Sequence, residues 1–193
     1  MIETYNEPRH IDYRNGIKAL DEENFLWADR VGLYFTPFGL GGAPVVATRE
    51  EIDQRVKSFT DIRVSDAVPT ELQILFEFAK GAMVYGLFFY PLYTLGWEQL
   101  SRVFEAAVTT KVSLLEPSLS ESPLAKKVQW LKERGHLPAS EVDKYDLFRQ
   151  WRNRVAHPKA HTLVGPPDAR RMLREMRDLL DYLFDPGSRA GRE

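Results

Sequence analysis

The fold is decided by residues 69–108, which read PTELQILFEFAKGAMVYGLFFYPLYTLGWEQLSRVFEAAV. Apolar side chains recur every three or four residues before Pro91 and again after it, which is the periodicity of amphipathic helices. Pro91 separates the two stretches because proline ends or kinks a helix. This part of the sequence therefore predicts two long helices, the second of which stops before Pro117.

Three further amphipathic helices are predicted toward the C-terminus. The first has Ser122 as a candidate cap, Pro123 at its first position and Gly135 just beyond its end. Capping and proline signals predict the other two over about 140–157 and 166–184. Four or five helices with short connections indicate a mainly α protein folded as an antiparallel helical bundle.

The first ~65 residues have a different pattern, with short apolar pieces separated by Gly and Pro. Two strands are predicted, at 31–36 and 44–47. Thr48 and Glu51 form a capping box, which predicts a helix from Arg49 to about Phe59. We therefore expect a small irregular or α+β segment ahead of the bundle. The chain divides into an N-terminal segment without an assigned role (1–65), a helical domain (66–185) and a frayed tail (186–193).

Composition narrows the class of protein. The chain is 44% hydrophobic with a formal net charge of −2, which excludes a disordered chain and gives no overall basic field for nucleic acid. It has no cysteine, which excludes disulfides, thiolate metal sites and a cysteine nucleophile. Residues 81–97 carry no charge, but they contain Gly and Pro and are short for a membrane span, so we expect a buried hairpin. The acidic N-terminus lacks a signal-peptide pattern, and a soluble cytoplasmic protein is expected.

Candidate chemistry is concentrated at the end of the helix predicted over 140–157. Arg152, Asn153 and His157 lie there, off the apolar stripe. Arginine offers a planar fork of donors for phosphate, and histidine can transfer a proton near neutral pH. His157 can reach the same point as Arg152 if it leaves helical geometry, as a residue before proline tends to do. This set suits phosphodiester cleavage in RNA without a metal, although basic helix ends are also common as plain surface.

The segment at 148–158, FRQWRNRVAHP, resembles the signature of the HEPN family, the higher-eukaryote and prokaryote nucleotide-binding helical domains. The family motif is an arginine, usually followed by a polar residue, with four to six residues between the arginine and a histidine. Arg152, Asn153 and His157 match it with four intervening residues. The order of helices over roughly 81–184 is also similar to that of the family. The resemblance implies a HEPN-like bundle with Arg152, Asn153 and His157 as catalytic residues. We expect RNA contacts from the neighbouring basic side chains Arg149, Arg154 and Lys159.

The resemblance further implies a metal-independent endoribonuclease that needs no cofactor. Two motifs meet in one composite cleft in such enzymes, and this chain has one motif, so a homodimer is implied. Many members are toxins or antiviral defence proteins, which makes an antitoxin or activator protein a candidate partner beside RNA. Two alternatives stay open: a non-catalytic module that binds RNA or another protein, and a purely structural dimer.

Several residues outside the motif are also candidates for a functional or structural role. Glu98 and Glu105 could support the site, and His136 is expected in a loop. A metal site at His157 and His161 is disfavoured because Pro158 breaks the helix between them. Helical spacing places Phe148 and Trp151 on the apolar stripe of their helix, so both are expected in the core. On the last helix, a solvated face with ion pairs is expected from Arg170, Arg174 and Arg177 and the neighbouring Asp178 and Asp181.

Overall fold

The computed structural model describes residues 13–14, 17–18, 49–137, 148 and 164–185. The described part of the chain is mainly helical, as the sequence predicts. Ahead of the helices lies a short antiparallel pair of strands, β1 (Tyr13–Arg14) and β2 (Ile17–Lys18), with Tyr13 opposite Lys18. The strands predicted at 31–36 and 44–47 lie outside the described residues.

Helix α1 (Arg49–Thr60) begins where the sequence predicts and ends one residue later than expected. The proposed cap, Thr48, lies outside the described residues. Ile52 on α1 packs with Leu87 in a small separate cluster. Phe59 near its end, and Ile62 just beyond it, belong to the main hydrophobic core. The segment that leads into the bundle therefore contributes to the same core as the later helices.

Helices α2 (Thr70–Tyr85) and α3 (Pro91–Leu115) form the expected hairpin. Pro91 occupies the first turn of α3, where the missing N–H costs nothing. The two helices approach closely at Gly96, since a Cβ built there would lie 2.7 Å from Met83 Cγ and 2.8 Å from the Ala79 carbonyl oxygen. A glycine is required at this crossing. Among the described residues, no helix is both long and apolar enough to span a membrane.

After α3, a single 3-10 turn (Pro117–Leu119) leads to α4 (Leu124–Glu133). Pro123 stands at the N-cap rather than at the first helical position, and this end has no side-chain cap from Ser122 or any other residue in the described structure. The far end matches the expectation for Gly135, which has φ 71°. That left-handed conformation is the reason for glycine at this position.

Helix α5 (Pro166–Phe184) closes the described structure. It packs on α3, which also contacts α2 and α4 and is thus the central helix. The amphipathic helix predicted over 166–184 is confirmed, since the apolar residues of α5 lie on its buried face. Its buried members are Ala169, Met172, Leu173, Met176, Leu179, Leu180 and Leu183.

The connection between α1 and α2 is fixed to the end of α5 by polar contacts. The backbone N–H of Ser65 donates to Asp181 Oδ1 at 2.8 Å, and Ser65 Oγ donates to Asp185 Oδ2 at 2.6 Å. Lys80 on α2 donates to the carbonyl oxygen of Ile62 at 3.3 Å. These contacts satisfy backbone groups that would otherwise be left unpaired in a partly buried loop.

Candidate functional site

All six residues that the sequence nominates for catalysis or RNA contact lie outside the described residues. They are Arg149, Arg152, Asn153, Arg154, His157 and Lys159. Trp151 and His161 also lie outside. The described residue nearest to them in sequence is Phe148, which is helical and 3% exposed. Its predicted place in the core is therefore confirmed.

Residues 149–163, which contain the motif, join two described residues that both contact α3. At one end the Phe148 ring stacks on Phe104, with centroids 5.6 Å apart and an interplanar angle of 19°. At the other end the backbone N–H of Val164 donates to Thr94 Oγ1 at 3.3 Å, and Val164 is buried. The two residues that flank the motif segment thus contact the central helix at positions ten residues apart along it.

The two glutamates proposed as supporting groups lie on the same side of α3 as one of these attachment points. Glu98 and Glu105 follow Thr94 by four and eleven residues, which is the spacing of one helix face. Glu105 is also the next residue after Phe104. Both glutamates are half-buried, whereas Arg102 between them is exposed. The two glutamates therefore lie on the same side of α3 as Thr94, which accepts the hydrogen bond from Val164.

A second group of polar and aromatic side chains occupies the end of α4. The Trp130 ring is stacked on the His136 ring, with centroids 6.0 Å apart and an interplanar angle of 25°. The Arg134 guanidinium lies 5.7 Å from the Trp130 centroid. The sequence predicted only that His136 lies in a loop and did not predict this group. Two features of the sequence do indicate it: Trp130 and Arg134 are four residues apart and so share a helix face, and Gly135 marks the turn that follows.

Two buried lysines on α2 and α4 have structural partners. Lys80 donates to the Ile62 carbonyl oxygen and forms an ion pair with Glu77. Lys127 donates to Thr109 Oγ1 at 3.1 Å and so links α4 to α3. Burial lowers the pKa of a third lysine, Lys111, whose Nζ lies 5.6 Å from the centroid of the Phe184 ring.

One of the three arginines expected on a solvated face of α5 forms an ion pair there: Arg177 pairs with Asp178 at 2.7 Å. Arg171, which the sequence prediction did not include, pairs with Asp168 at 3.5 Å. Asp181 departs from the expectation, because it is buried and accepts the Ser65 N–H instead of lying on the solvated face. Within the described ranges, no group of three or more His, Asp or Glu side chains is arranged to hold a metal ion.

No protein-family model, curated protein or solved structure matches this chain.

Proposed function

We propose that this protein is a metal-independent endoribonuclease of the HEPN type that acts as a homodimer. Arg152 holds the scissile phosphate, Asn153 orients it, and His157 transfers the proton. Arg149, Arg154 and Lys159 contact the RNA beside the cleavage point. Because each chain has one motif, two chains together complete the composite cleft. A partner protein that restrains or activates the nuclease, as in toxin or defence systems, belongs to the same proposal.

The chemistry needs only these side chains and the RNA itself. A base removes the proton of the ribose 2′-hydroxyl, and the 2′-oxygen attacks the phosphorus. The bond from phosphorus to the 5′-oxygen breaks, and an acid protonates that leaving oxygen. An imidazole in each protonation state can supply the base and the acid, and the composite cleft would bring two together. A bidentate arginine stabilises the charge that grows on the phosphate.

The observation that best supports this proposal is that the residues on either side of the motif segment both contact α3. Phe148 stacks on Phe104, and the backbone N–H of Val164 donates to Thr94. Catalytic side chains act efficiently when the elements that carry them are held in position. Glu98 and Glu105 lie along the same side of α3, and we assign them the role of orienting the arginine or imidazole by accepting hydrogen bonds.

The test is incubation of the purified protein with mixed RNA and with DNA of the same sequences, in EDTA. The proposal expects cleavage of RNA to products with 2′,3′-cyclic phosphate ends and no cleavage of DNA, which lacks the attacking hydroxyl. Cleavage that EDTA abolishes would contradict it. Binding of RNA without cleavage would favour the alternative, a non-catalytic RNA-binding module.

The proposed role of Glu98 and Glu105 is tested separately, by measuring RNA cleavage by variants of each glutamate. Glu98→Gln and Glu105→Gln keep the shape of the side chain and remove its charge. Either should lower the cleavage rate about tenfold or more if the carboxylate orients a reacting group, with little change in RNA binding. Glu71→Gln is the matched control, because Glu71 is exposed in the first turn of α2. Equal rates for all three variants would remove the supporting role.

A further inference from the structure

The end of α4 differs in charge from the chain as a whole. Residues 124–136 contain four Lys or Arg and one Glu, a balance of +3, whereas the whole chain has a net charge of −2. Lys127 is buried against Thr109, whereas Lys126 and Arg134 are exposed cations on this stretch. The single carboxylate, Glu133, accepts a hydrogen bond from Gln129. This part of the surface attracts anions although the protein carries a small negative charge.

The aromatic side chains at this end are held in position by the backbone. The N–H of His136 donates to the Leu131 carbonyl oxygen at 2.8 Å, and the N–H of Gly135 donates to that of Lys132 at 3.0 Å. With Gly135 at φ 71°, this pair of hydrogen bonds is the Schellman arrangement that closes a helix. The backbone of His136 is thereby fixed beside α4, and its imidazole stacks on the Trp130 ring before any ligand is present.

Arg134 completes the group with a charge that is available to a ligand. Arg134 is exposed, and its guanidinium lies over the Trp130 ring. Within the described part of the chain, no carboxylate forms an ion pair with it. Lys126 is also exposed and lies one turn before Trp130 on the same helix. A stacked aromatic pair beside unpaired exposed cations is thus assembled at one helix end.

We propose that Trp130, Arg134 and His136 form a binding platform for single-stranded nucleic acid. An unpaired base stacks on the aromatic pair, and Arg134 with Lys126 binds the neighbouring phosphates. Alternating stacking and phosphate contact is the general way in which proteins hold single strands without reading sequence. An acidic peptide fits less well, because it would use the cations and leave the stack unused. The platform lies outside the motif and does not rest on the proposed cleavage.

The experiment measures fluorescence anisotropy of a labelled ten-nucleotide RNA and of the corresponding DNA, in EDTA and low salt. His157→Ala serves as the background, so that cleavage cannot remove the probe. His136→Ala and Arg134→Gln should each weaken binding about tenfold, equal to about 1.4 kcal/mol. Arg134→Lys keeps the charge but loses the planar fork, and it should show an intermediate loss. Similar losses with RNA and DNA identify base and phosphate as the features bound, and losses with RNA alone identify RNA as the ligand.

The matched control is Arg171→Gln, which removes one positive charge from an exposed arginine on α5. It should change binding by less than about twofold, since a distant charge contributes only a screened, non-specific attraction. Melting curves establish that each variant is folded. Unchanged binding by folded His136→Ala or by folded Arg134→Gln would overturn the proposal. So would an equal loss in the Arg171→Gln control, or equal competition by a ten-residue polyglutamate, which has charges but no bases.

Discussion

The close approach of α2 and α3 at Gly96 leads to a prediction with an internal control. Alanine in place of glycine inside a helix stabilises a protein by about 0.8–1 kcal/mol through helix propensity. At Gly96, however, the new Cβ would lie 2.8 Å from the Ala79 carbonyl oxygen and 2.7 Å from Met83 Cγ. Met83 can give way only within a packed core, and the Ala79 oxygen belongs to the backbone of α2. Overpacking of this kind costs about 1–3 kcal/mol.

Gly81 on α2 is the matched control, because a Cβ there meets nothing within 4 Å. Gly81→Ala should therefore gain about 1 kcal/mol from propensity alone. Gly96→Ala has the same propensity gain but must also push the helices apart, so it should lose up to about 2 kcal/mol net. The two variants should therefore differ by the overpacking cost alone, about 1–3 kcal/mol, which corresponds to roughly 2–12 °C in Tm for a chain of this size.

Urea unfolding of the two variants and the parent, followed by circular dichroism, measures the difference directly. The midpoint should fall for Gly96→Ala and rise slightly for Gly81→Ala, with similar slopes. If Gly96→Ala is as stable as Gly81→Ala, then α2 and α3 do not meet as closely as the structure has them. The packing of the central helix would need to be revised.

Three further predictions concern stability and assembly. Asp181→Ala should destabilise the fold by about 1.5–3 kcal/mol in urea unfolding, since it removes the charged acceptor of the Ser65 N–H. The control Asp178→Ala breaks only a surface ion pair and should cost less than about 1 kcal/mol. Phe148→Ala should cost about 3–5 kcal/mol, because the ring is buried against Phe104, and a Tm equal to that of the parent would contradict its place in the core. Analytical ultracentrifugation at micromolar concentration should give twice the mass of one chain, and a strict monomer would exclude a composite site.

Much of the helical frame could be predicted because its signals are local. Pro91 and the spacing of apolar residues define the hairpin, and the apolar stripe of α5 matches its buried face residue by residue. Gly135 was recognisable as a helix end because the required positive φ favours glycine. Phe148 was placed in the core by its spacing alone, and the structure confirms it.

Other features could not be predicted because the spacing of residues along one helix does not specify them. Asp181 was expected on a solvated face, yet it is buried because it accepts a backbone N–H from Ser65, 116 residues away. The cap expected from Ser122 is absent from the described end of α4, where Pro123 takes the N-cap position. The sequence marks the turn at Gly135, but it does not specify that His136 stacks on Trp130, because that contact forms only once the turn is made.

The catalytic assignment of Arg152, Asn153 and His157 remains a prediction, carried by their spacing in the sequence and by the chemistry of the three side chains. The structure attaches the flanking residues Phe148 and Val164 to α3. Assays of the motif residues themselves are therefore the decisive experiments.

The most direct measurement is the single-turnover rate of RNA cleavage in EDTA for the parent, His157→Ala and Arg152→Lys. His161→Ala is the control, because it removes an imidazole four residues beyond the motif. We expect His157→Ala to abolish cleavage while RNA binding survives, and Arg152→Lys to lose most activity because an ammonium cannot reproduce the bidentate contact with phosphate. His161→Ala should cleave at the parental rate. Parental activity in folded His157→Ala, or a loss of folding and dimerisation in both motif variants, would contradict the catalytic role.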